Sequence, residues 1–141
     1  LDQNMKSFKI YYINLDKSIR RKQFIENQFK RHKISISRFS AIYGKELPKE
    51  FLEKRKKEHQ ILTHFPYLNN GEIGLTKTYF NIWETISIQE EEYAIVLEDD
   101  ALVTSNFFDD LQDILELVST NDFIDVSGRK GFLLLNKNKH L

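Results

Sequence analysis

Three consecutive carboxylates, Glu98, Asp99 and Asp100, are the residues of this chain best suited to chemistry. They follow directly on Tyr93–Leu97, an apolar run that is typical of a buried strand. Adjacent negative charges repel one another, and the packed end of a strand makes an unpaired charge costly. Because hard carboxylate oxygens are the ligands that Mg²⁺ and Mn²⁺ prefer, the pattern predicts a divalent cation at this point.

The alternation of side chains along an extended chain separates these three carboxylates. Glu98 and Asp100 are expected to turn toward the cation, and Asp99 is expected to point the other way, to a sugar hydroxyl or a backbone amide. The alternative is an acidic turn in which Asp99 or Asp100 caps the next helix.

A second polar cluster follows the first predicted strand, Phe8–Asn14, which is rich in aromatic and β-branched residues. Asp16, Arg20 and Arg21 come next, at the start of a predicted helix. Backbone N–H groups at a helix start, together with an arginine, can bind a phosphate or a uracil edge. The alternative is that Asp16 only caps the helix and the arginines form a solvated face.

The third candidate segment is Asn70–Gly74, where Asn70 is expected to cap a helix and two glycines permit close approach of the backbone. Glu72 lies in the first helical turn, a favourable position for a negative charge. An ordinary cap and turn explains the segment equally well.

Charge is strongly segregated along the chain although the net charge is zero. Residues 1–77 carry 17 Lys/Arg and 8 Asp/Glu, whereas residues 78–128 carry 13 Asp/Glu and neither Lys nor Arg. This distribution favours a basic surface for anions beside an acidic cation site, which a metal-bound nucleotide diphosphate would satisfy. The alternative is that the two surfaces only attract each other within the fold. The basic charges are dispersed, so we do not expect nucleic-acid binding.

Strands and helices alternate, which predicts an α/β domain over residues 5–141 with a mainly parallel, Rossmann-like sheet flanked by helices. Met5 is expected to be the natural start and residues 1–4 a cloning remnant. No helix follows the last predicted strand, so we expect the sheet to be incomplete at its C-terminal end. The predicted strands are 8–14, 38–42, 93–97, 123–126 and 131–135. The predicted helices are about 18–33, 48–58 and 72–89, and one that begins after Ser105 or Asn106.

Helical spacing identifies the residues expected in the core. They are Phe24, Ile25 and Phe29 of the first helix, with Gln28 on the same inner face, Ile73, Phe80, Trp83 and Ile86 of the third, and Phe108, Leu111, Leu115 and Val118 of the last.

Together and in this order, the three polar segments resemble glycosyltransferase family 25, the lipooligosaccharide biosynthesis galactosyltransferases of Gram-negative bacteria. The family's Ile-Asn-Leu strand end and following arginine pair match Ile13–Leu15 and Arg20–Arg21. Its Gly-Glu-Ile-Gly helix start, on a helix that carries a Trp, matches Gly71–Gly74 and Trp83. Its Leu-Glu-Asp-Asp strand end matches Leu97–Asp100.

The resemblance implies a GT-A-type fold, a UDP-sugar donor, most often UDP-galactose, and Mn²⁺ or Mg²⁺. It also implies inverting transfer to a growing lipooligosaccharide on a lipid. By position, Glu98 and Asp100 would be the metal and donor carboxylates. Asn14, Asp16 and the arginine pair 20–21 would bind the nucleotide.

The resemblance leaves the catalytic base open between Asp99, Glu72 and a residue outside this chain. Tyr79 stands where the family pattern has a histidine, and Leu75 where it has a cysteine. Family members are also considerably longer than this chain. The alternatives are therefore a UDP-sugar-binding remnant without turnover, or a non-enzymatic α/β module whose acidic patch binds a basic partner.

The same features give expectations for location and assembly. The chain has no cysteine and no pattern of a signal peptide, which favours the cytoplasm. The basic first half favours contact with anionic headgroups at the inner face of the membrane. An uncovered sheet edge favours pairing with a second copy, as a homodimer.

Overall fold

A mixed five-stranded sheet lies at the centre of the protein, whose structure is a computed structural model that describes residues 6–65, 67–117, 124–125 and 132–136. The strands are β1 (Phe8–Asn14), β2 (Ser37–Ser40), β3 (Tyr93–Glu98), β4 (Ile124–Asp125) and β5 (Phe132–Asn136). The α-helices are α1 (Ile19–Lys30), α2 (Lys49–Thr63), α3 (Asn70–Ser87) and α4 (Phe107–Leu117), and a 3₁₀ turn spans Gly44–Glu46.

The order of the strands across the sheet is β2-β1-β3-β5-β4. The first three run parallel, β5 is antiparallel to β3, and β4 is antiparallel to β5. This confirms the predicted α/β class, with a parallel, Rossmann-like set of strands flanked by helices. Of the last two predicted strands, Phe123, Val126 and Gly131 lie outside the described residues.

Helices cover both faces of the sheet because successive side chains of a strand point to opposite sides. On one face, alternate residues of β1 and β3 pack against α1 and α4. On the other face, the intervening residues of the same strands pack against α3. Central strands that are buried on both faces must be apolar almost throughout, as β3 is from Tyr93 to Leu97.

The core of the first face contains most of the residues that helical spacing predicts. Ile25 and Phe29 of α1 are fully buried, and Leu111 and Leu115 of α4 are also buried. Phe24 is an exception, because its side chain is 42% exposed. Gln28, which was predicted on the same face, is partly buried, and its Nε2 donates to the Ala101 carbonyl at 2.9 Å. Phe108 is partly buried against this core, and Val118 lies outside the described residues.

On the second face, one predicted core residue of α3 is exposed. Ile73 and Ile86 of α3 are buried and Trp83 packs partly against the core. Phe80 is 58% exposed, since it lies beyond the stripe of α3 that contacts the sheet.

The start of α3 is fixed by a complete capping box. The Asn69 side chain accepts from the Glu72 backbone N–H at 2.9 Å, and Glu72 Oε2 accepts from the Asn69 backbone N–H at 2.8 Å. Asn69, rather than the predicted Asn70, is therefore the N-cap. None of the helices in the described part of the chain is both long enough and apolar enough for a membrane span.

Candidate functional site

The predicted site residues at the ends of β1 and β3 meet at one edge of the sheet. The two strands are parallel neighbours, with Ile13 opposite Glu98. The next residue of each strand, Asn14 and Asp99, is therefore brought side by side on the face that α1 covers. The carboxyl ends of parallel strands are where ligands gather in open α/β sheets.

Asp99 is buried at this edge and both of its carboxylate oxygens are engaged. Asn14 Nδ2 donates to Asp99 Oδ2 at 2.7 Å, and Arg21 Nη1 lies 3.2 Å from Oδ1. The Asp99 side chain is 10% exposed, whereas that of Arg21 is 62% exposed. The charge of Asp99 is thus compensated inside the protein, and the pair holds an arginine that still faces solvent.

Asn14 connects this buried carboxylate to the neighbouring strand. Its Nδ2 also donates to the Ser18 carbonyl at 3.1 Å, and its Oδ1 accepts from Arg38 Nε at 3.0 Å. With these bonds, both the amide nitrogen and the amide oxygen of the buried Asn14 are satisfied. Asn14 therefore positions Asp99 and Arg38 relative to each other.

Arg38 of β2 is a member of the site that the sequence analysis did not single out. Its Nη2 donates to the Asn14 carbonyl at 3.0 Å and to Asp16 Oδ1 at 2.5 Å. Ser40 Oγ donates to the same oxygen of Asp16 at 2.8 Å. The available signal was a charged residue at the start of the predicted strand 38–42, but only strand pairing shows what it contacts.

These bonds fix the ionisation of Asp16. The hydrogen bond from Arg38, and then that from Ser40, hold the pKa of the Asp16 carboxyl below its usual range. The Asp16 side chain remains 79% exposed, so it presents a second negative charge at the sheet edge. Arg20, the other predicted nucleotide-binding residue of this segment, is also exposed.

Glu98 and Asp100 are both exposed, whereas Asp99 between them is buried. Glu98 belongs to the face that α3 covers, where the Tyr79 hydroxyl lies 3.5 Å from Glu98 Oε1. Burial, and then the nearby Glu98 carboxylate, raise the pKa of Tyr79 to about 12. Tyr79 is thus a neutral donor toward Glu98 near neutral pH.

The carboxylates at this edge can hold a divalent ion only if a bound ligand supplies further oxygens. Glu98 and Asp100 supply hard, exposed oxygens, but Asp99 is engaged with Asn14 and Arg21. Among the described residues, no group of three histidines, cysteines or carboxylates could hold a metal. One or two carboxylates, completed by water and substrate phosphates, are the usual protein ligands of Mg²⁺.

Glu72, the second candidate base, reaches the same end of the sheet through the start of α3. A Cβ on Gly44 would lie 1.6 Å from the Asn70 carbonyl oxygen, and one on Gly74 would lie 2.6 Å from that of Ile42. Only glycine permits this approach. The segment that follows β2 and the first turn of α3 are therefore in direct backbone contact, and Glu72 is exposed beside them.

A cation also faces solvent at the same edge. Lys17, just after β1, has its Nζ 3.4 Å from the centroid of the Tyr43 ring, just after β2. The hydrogen bond from Lys17 lowers the pKa of the Tyr43 hydroxyl below its usual value. Lys17 and the exposed Arg21 supply positive charge to the edge that carries Glu98 and Asp100.

Comparisons with known proteins agree with the resemblance noted from the motifs. The family model described as glycosyltransferase family 25 (LPS biosynthesis protein) matches residues 7–141. A "Glycosyltransferase 25 family member" of Drosophila pseudoobscura pseudoobscura is 30% identical over 95 residues. That match covers 64% of this chain and 15% of the relative.

Proposed function

Because the chain belongs to glycosyltransferase family 25, we propose that it transfers a hexose, most often galactose, from a UDP-sugar to a lipooligosaccharide acceptor. One observation carries the proposal. Within a family match that spans residues 7–141, the exposed Glu98 and Asp100 flank a buried, fully bonded Asp99 at the carboxyl end of β3.

Glu98 and Asp100 would hold Mn²⁺ or Mg²⁺ together with the two phosphates of the donor. When bound, the ion would stabilise the negative charge of the departing UDP. Two protein carboxylates suffice for such a site because the phosphates and water supply the remaining oxygens.

The residues around Glu98 and Asp100 would bind the nucleotide. Arg21 is anchored by Asp99 but mostly exposed, so it can offer its remaining N–H groups to a phosphate. Asp16 is held ionised by Arg38 and can accept a hydrogen bond from the ribose or the base. Asn14 is buried, so we assign it to positioning these groups.

The proposed reaction is a single displacement with inversion. A base removes the proton from an acceptor hydroxyl, the oxygen attacks the anomeric carbon, and the bond to UDP breaks on the opposite side. Asp99 and Glu72 are the candidate bases within this chain. We favour Glu72, because it is exposed and only its Oε2 is engaged, by the Asn69 N–H, whereas both oxygens of Asp99 are engaged.

The first test is calorimetric titration of the protein with UDP-galactose in Mn²⁺ and in EDTA. We expect binding that requires the metal and that Asp100→Ala abolishes. Asp110→Ala is the matched control, because Asp110 is an exposed acid on α4 and should leave binding unchanged. Binding that is insensitive to EDTA, or that survives in Asp100→Ala, would contradict the metal assignment.

The second test separates transfer from binding alone. Release of UDP and of labelled galactose is measured with and without a lipooligosaccharide acceptor, for the native chain and for Glu72→Gln and Asp99→Asn. We expect Glu72→Gln to bind the donor normally and to lose turnover. Donor binding without any turnover in the native chain would instead assign a UDP-sugar-binding domain, and no binding at all would favour a non-enzymatic module.

A further inference from the structure

The end of α2 carries an exposed apolar surface that the proposed reaction does not use. Ile61 and Leu62 lie in the last turn of the helix, and Phe65 and Tyr67 follow it. Each of these side chains is between 65% and 88% exposed. We call these four residues the α2 tip. Isolated exposed apolar residues are common, but four within seven positions form a patch.

The helix that leads to the α2 tip is basic. Lys54, Arg55, Lys56 and Lys57 are consecutive and all exposed. Glu58 pairs with Lys54 and Arg55. Lys56 and Lys57 form no ion pair with any described residue, so their charges are available to a partner.

Helix α2 is held to the protein by few contacts. Leu52 is the one buried side chain within Lys49–Thr63, and it lies near the start of the helix. The later turns therefore project their basic and apolar side chains away from the core. A helix with so little buried surface gains little stability from packing within this chain.

The α2 tip precedes the start of α3, which lies at the same end of the sheet as the candidate donor site. Leu68 joins Tyr67 to Asn69, the cap of α3, and the first turn of α3 contacts Gly44 after β2. Tyr79, two turns further along α3, reaches Glu98. The α2 tip is therefore close along the chain to a helix that contacts this edge of the sheet.

We propose that the α2 tip inserts into an anionic lipid surface, with Lys56 and Lys57 binding the headgroups. Aliphatic and aromatic side chains next to a basic run are the composition of segments that lie at a membrane interface. The positive charge that precedes the tip is complementary to anionic headgroups and gains nothing from a neutral surface. Nucleic acid would use the lysines but leave Ile61 and Leu62 without a role.

Binding of the α2 tip to lipid requires neither a sugar donor nor transfer of a sugar. Its test uses no nucleotide, so its failure is independent of the tests of UDP-sugar binding.

The experiment is cosedimentation of the whole chain with vesicles of phosphatidylcholine, with and without phosphatidylglycerol. We expect binding to the mixed vesicles, weaker binding as salt rises, and little binding to phosphatidylcholine alone. Leu62→Ser/Phe65→Ser should reduce binding by about tenfold or more, through lost burial of apolar surface. Lys56→Gln/Lys57→Gln should reduce it by about tenfold, through lost attraction to the headgroups.

The matched control is Ile88→Ser/Leu102→Ser, which removes two side chains that are 85% and 63% exposed. Both lie beside acidic residues rather than basic ones, so vesicle binding should not change. Circular dichroism and thermal unfolding check that every variant is folded.

The proposal is overturned if the native chain binds both kinds of vesicle equally or neither of them. It is also overturned if Leu62→Ser/Phe65→Ser binds as well as the control. If vesicle binding is absent, and light scattering shows a dimer that this variant dissociates, a second copy covers the α2 tip instead.

Discussion

Helices α2 and α3 follow each other in the chain and have similar lengths, yet the protein holds them very differently. Five residues of α3 are buried, its start is capped by Asn69, and its backbone touches Gly44. Helix α2 buries only Leu52. The comparison separates a helix that fixes the geometry of the candidate site from one whose side chains are available to a surface outside the chain.

Disrupting the backbone contact between Gly44 and α3 is expected to have the largest effect on stability. We expect Gly44→Ala to lower the free energy of unfolding by about 3 kcal/mol or more, because the new Cβ would overlap the Asn70 backbone. Urea unfolding measures the change. Gly71→Ala is the control, since its Cβ would meet only the Asn69 side chain, at 3.1 Å, and the cost should stay below about 1 kcal/mol. Equal effects of the two variants would mean that α3 is not fixed through Gly44.

The second-largest effect on stability is expected from the polar cluster at the sheet edge. Asn14→Ala removes the side-chain amide that bonds both Asp99 and Arg38, and we expect a loss of about 2–3 kcal/mol in the free energy of unfolding. Glu58→Ala removes the two ion pairs of Glu58 with Lys54 and Arg55 on α2, and this should cost less than about 0.5 kcal/mol because the pairs are exposed. A loss for Asn14→Ala as small as that for Glu58→Ala would show that the buried cluster adds little to stability.

A smaller loss of stability is expected from Thr78, which is buried on α3. Its hydroxyl accepts from the Ile42 backbone N–H at 2.9 Å and donates to the Gly74 carbonyl at 2.8 Å. Thr78→Val keeps the shape and leaves that N–H unpaired, so we expect a loss of about 1–2 kcal/mol by urea unfolding. Thr76→Val serves as the control, since Thr76 is exposed on the same helix. If both variants match the native protein, water satisfies Ile42 and the bond does not hold α3.

The smallest effect concerns pH. The Tyr12 hydroxyl donates to Glu26, and this bond lowers the pKa of the Glu26 carboxyl below 4.5. The ionised form is therefore favoured in the folded state, so its contribution is present above pH 4.5 and is lost as the pH falls through the lower folded value.

Because Glu26 is 39% exposed, solvent screening should limit this contribution to less than about 1 kcal/mol. Glu26→Gln should make the free energy of unfolding less dependent on pH below 4.5, as measured by urea unfolding at several pH values. Glu53→Gln on α2 is the comparison variant, as Glu53 is an exposed partner of Lys49. A steeper dependence in Glu26→Gln than in the native protein would contradict the sign of this effect.

Prediction from sequence succeeded where one local signal was sufficient. The apolar run before Glu98 predicted β3. The alternation of side chains predicted that Asp99 points away from Glu98 and Asp100, to a sugar hydroxyl or a backbone amide; Asp99 is buried, but its partners are Asn14 and Arg21. Prediction failed for two phenylalanines whose helical spacing matches that of buried residues. Phe24 and Phe80 occupy helical positions next to the buried stripe, yet their side chains are 42% and 58% exposed.

At the candidate site, sequence motifs identified residues but not the contacts between them. The motifs identified Asn14, Asp16, Arg21 and the carboxylate triplet, but they gave no partner for any of them. Arg38 was missed because its role depends on Ser40 lying opposite Asn14 in the sheet, which no local pattern reveals. The assignment of Glu98 and Asp100 to a metal, and of Glu72 or Asp99 to the base, stays a prediction.

The sequence by itself determined the alternation of strands and helices, the segregation of charge and the family, because each depends on neighbours along the chain or on ordered motifs. Only the tertiary structure decided that Asn14 bonds Asp99, that Arg38 joins them, and that α2 stays exposed where α3 is buried. The physical reason is that hydrogen bonds and burial depend on distances between strands and helices. Those distances are set by sheet register and by close backbone contacts such as that of Gly44 with Asn70.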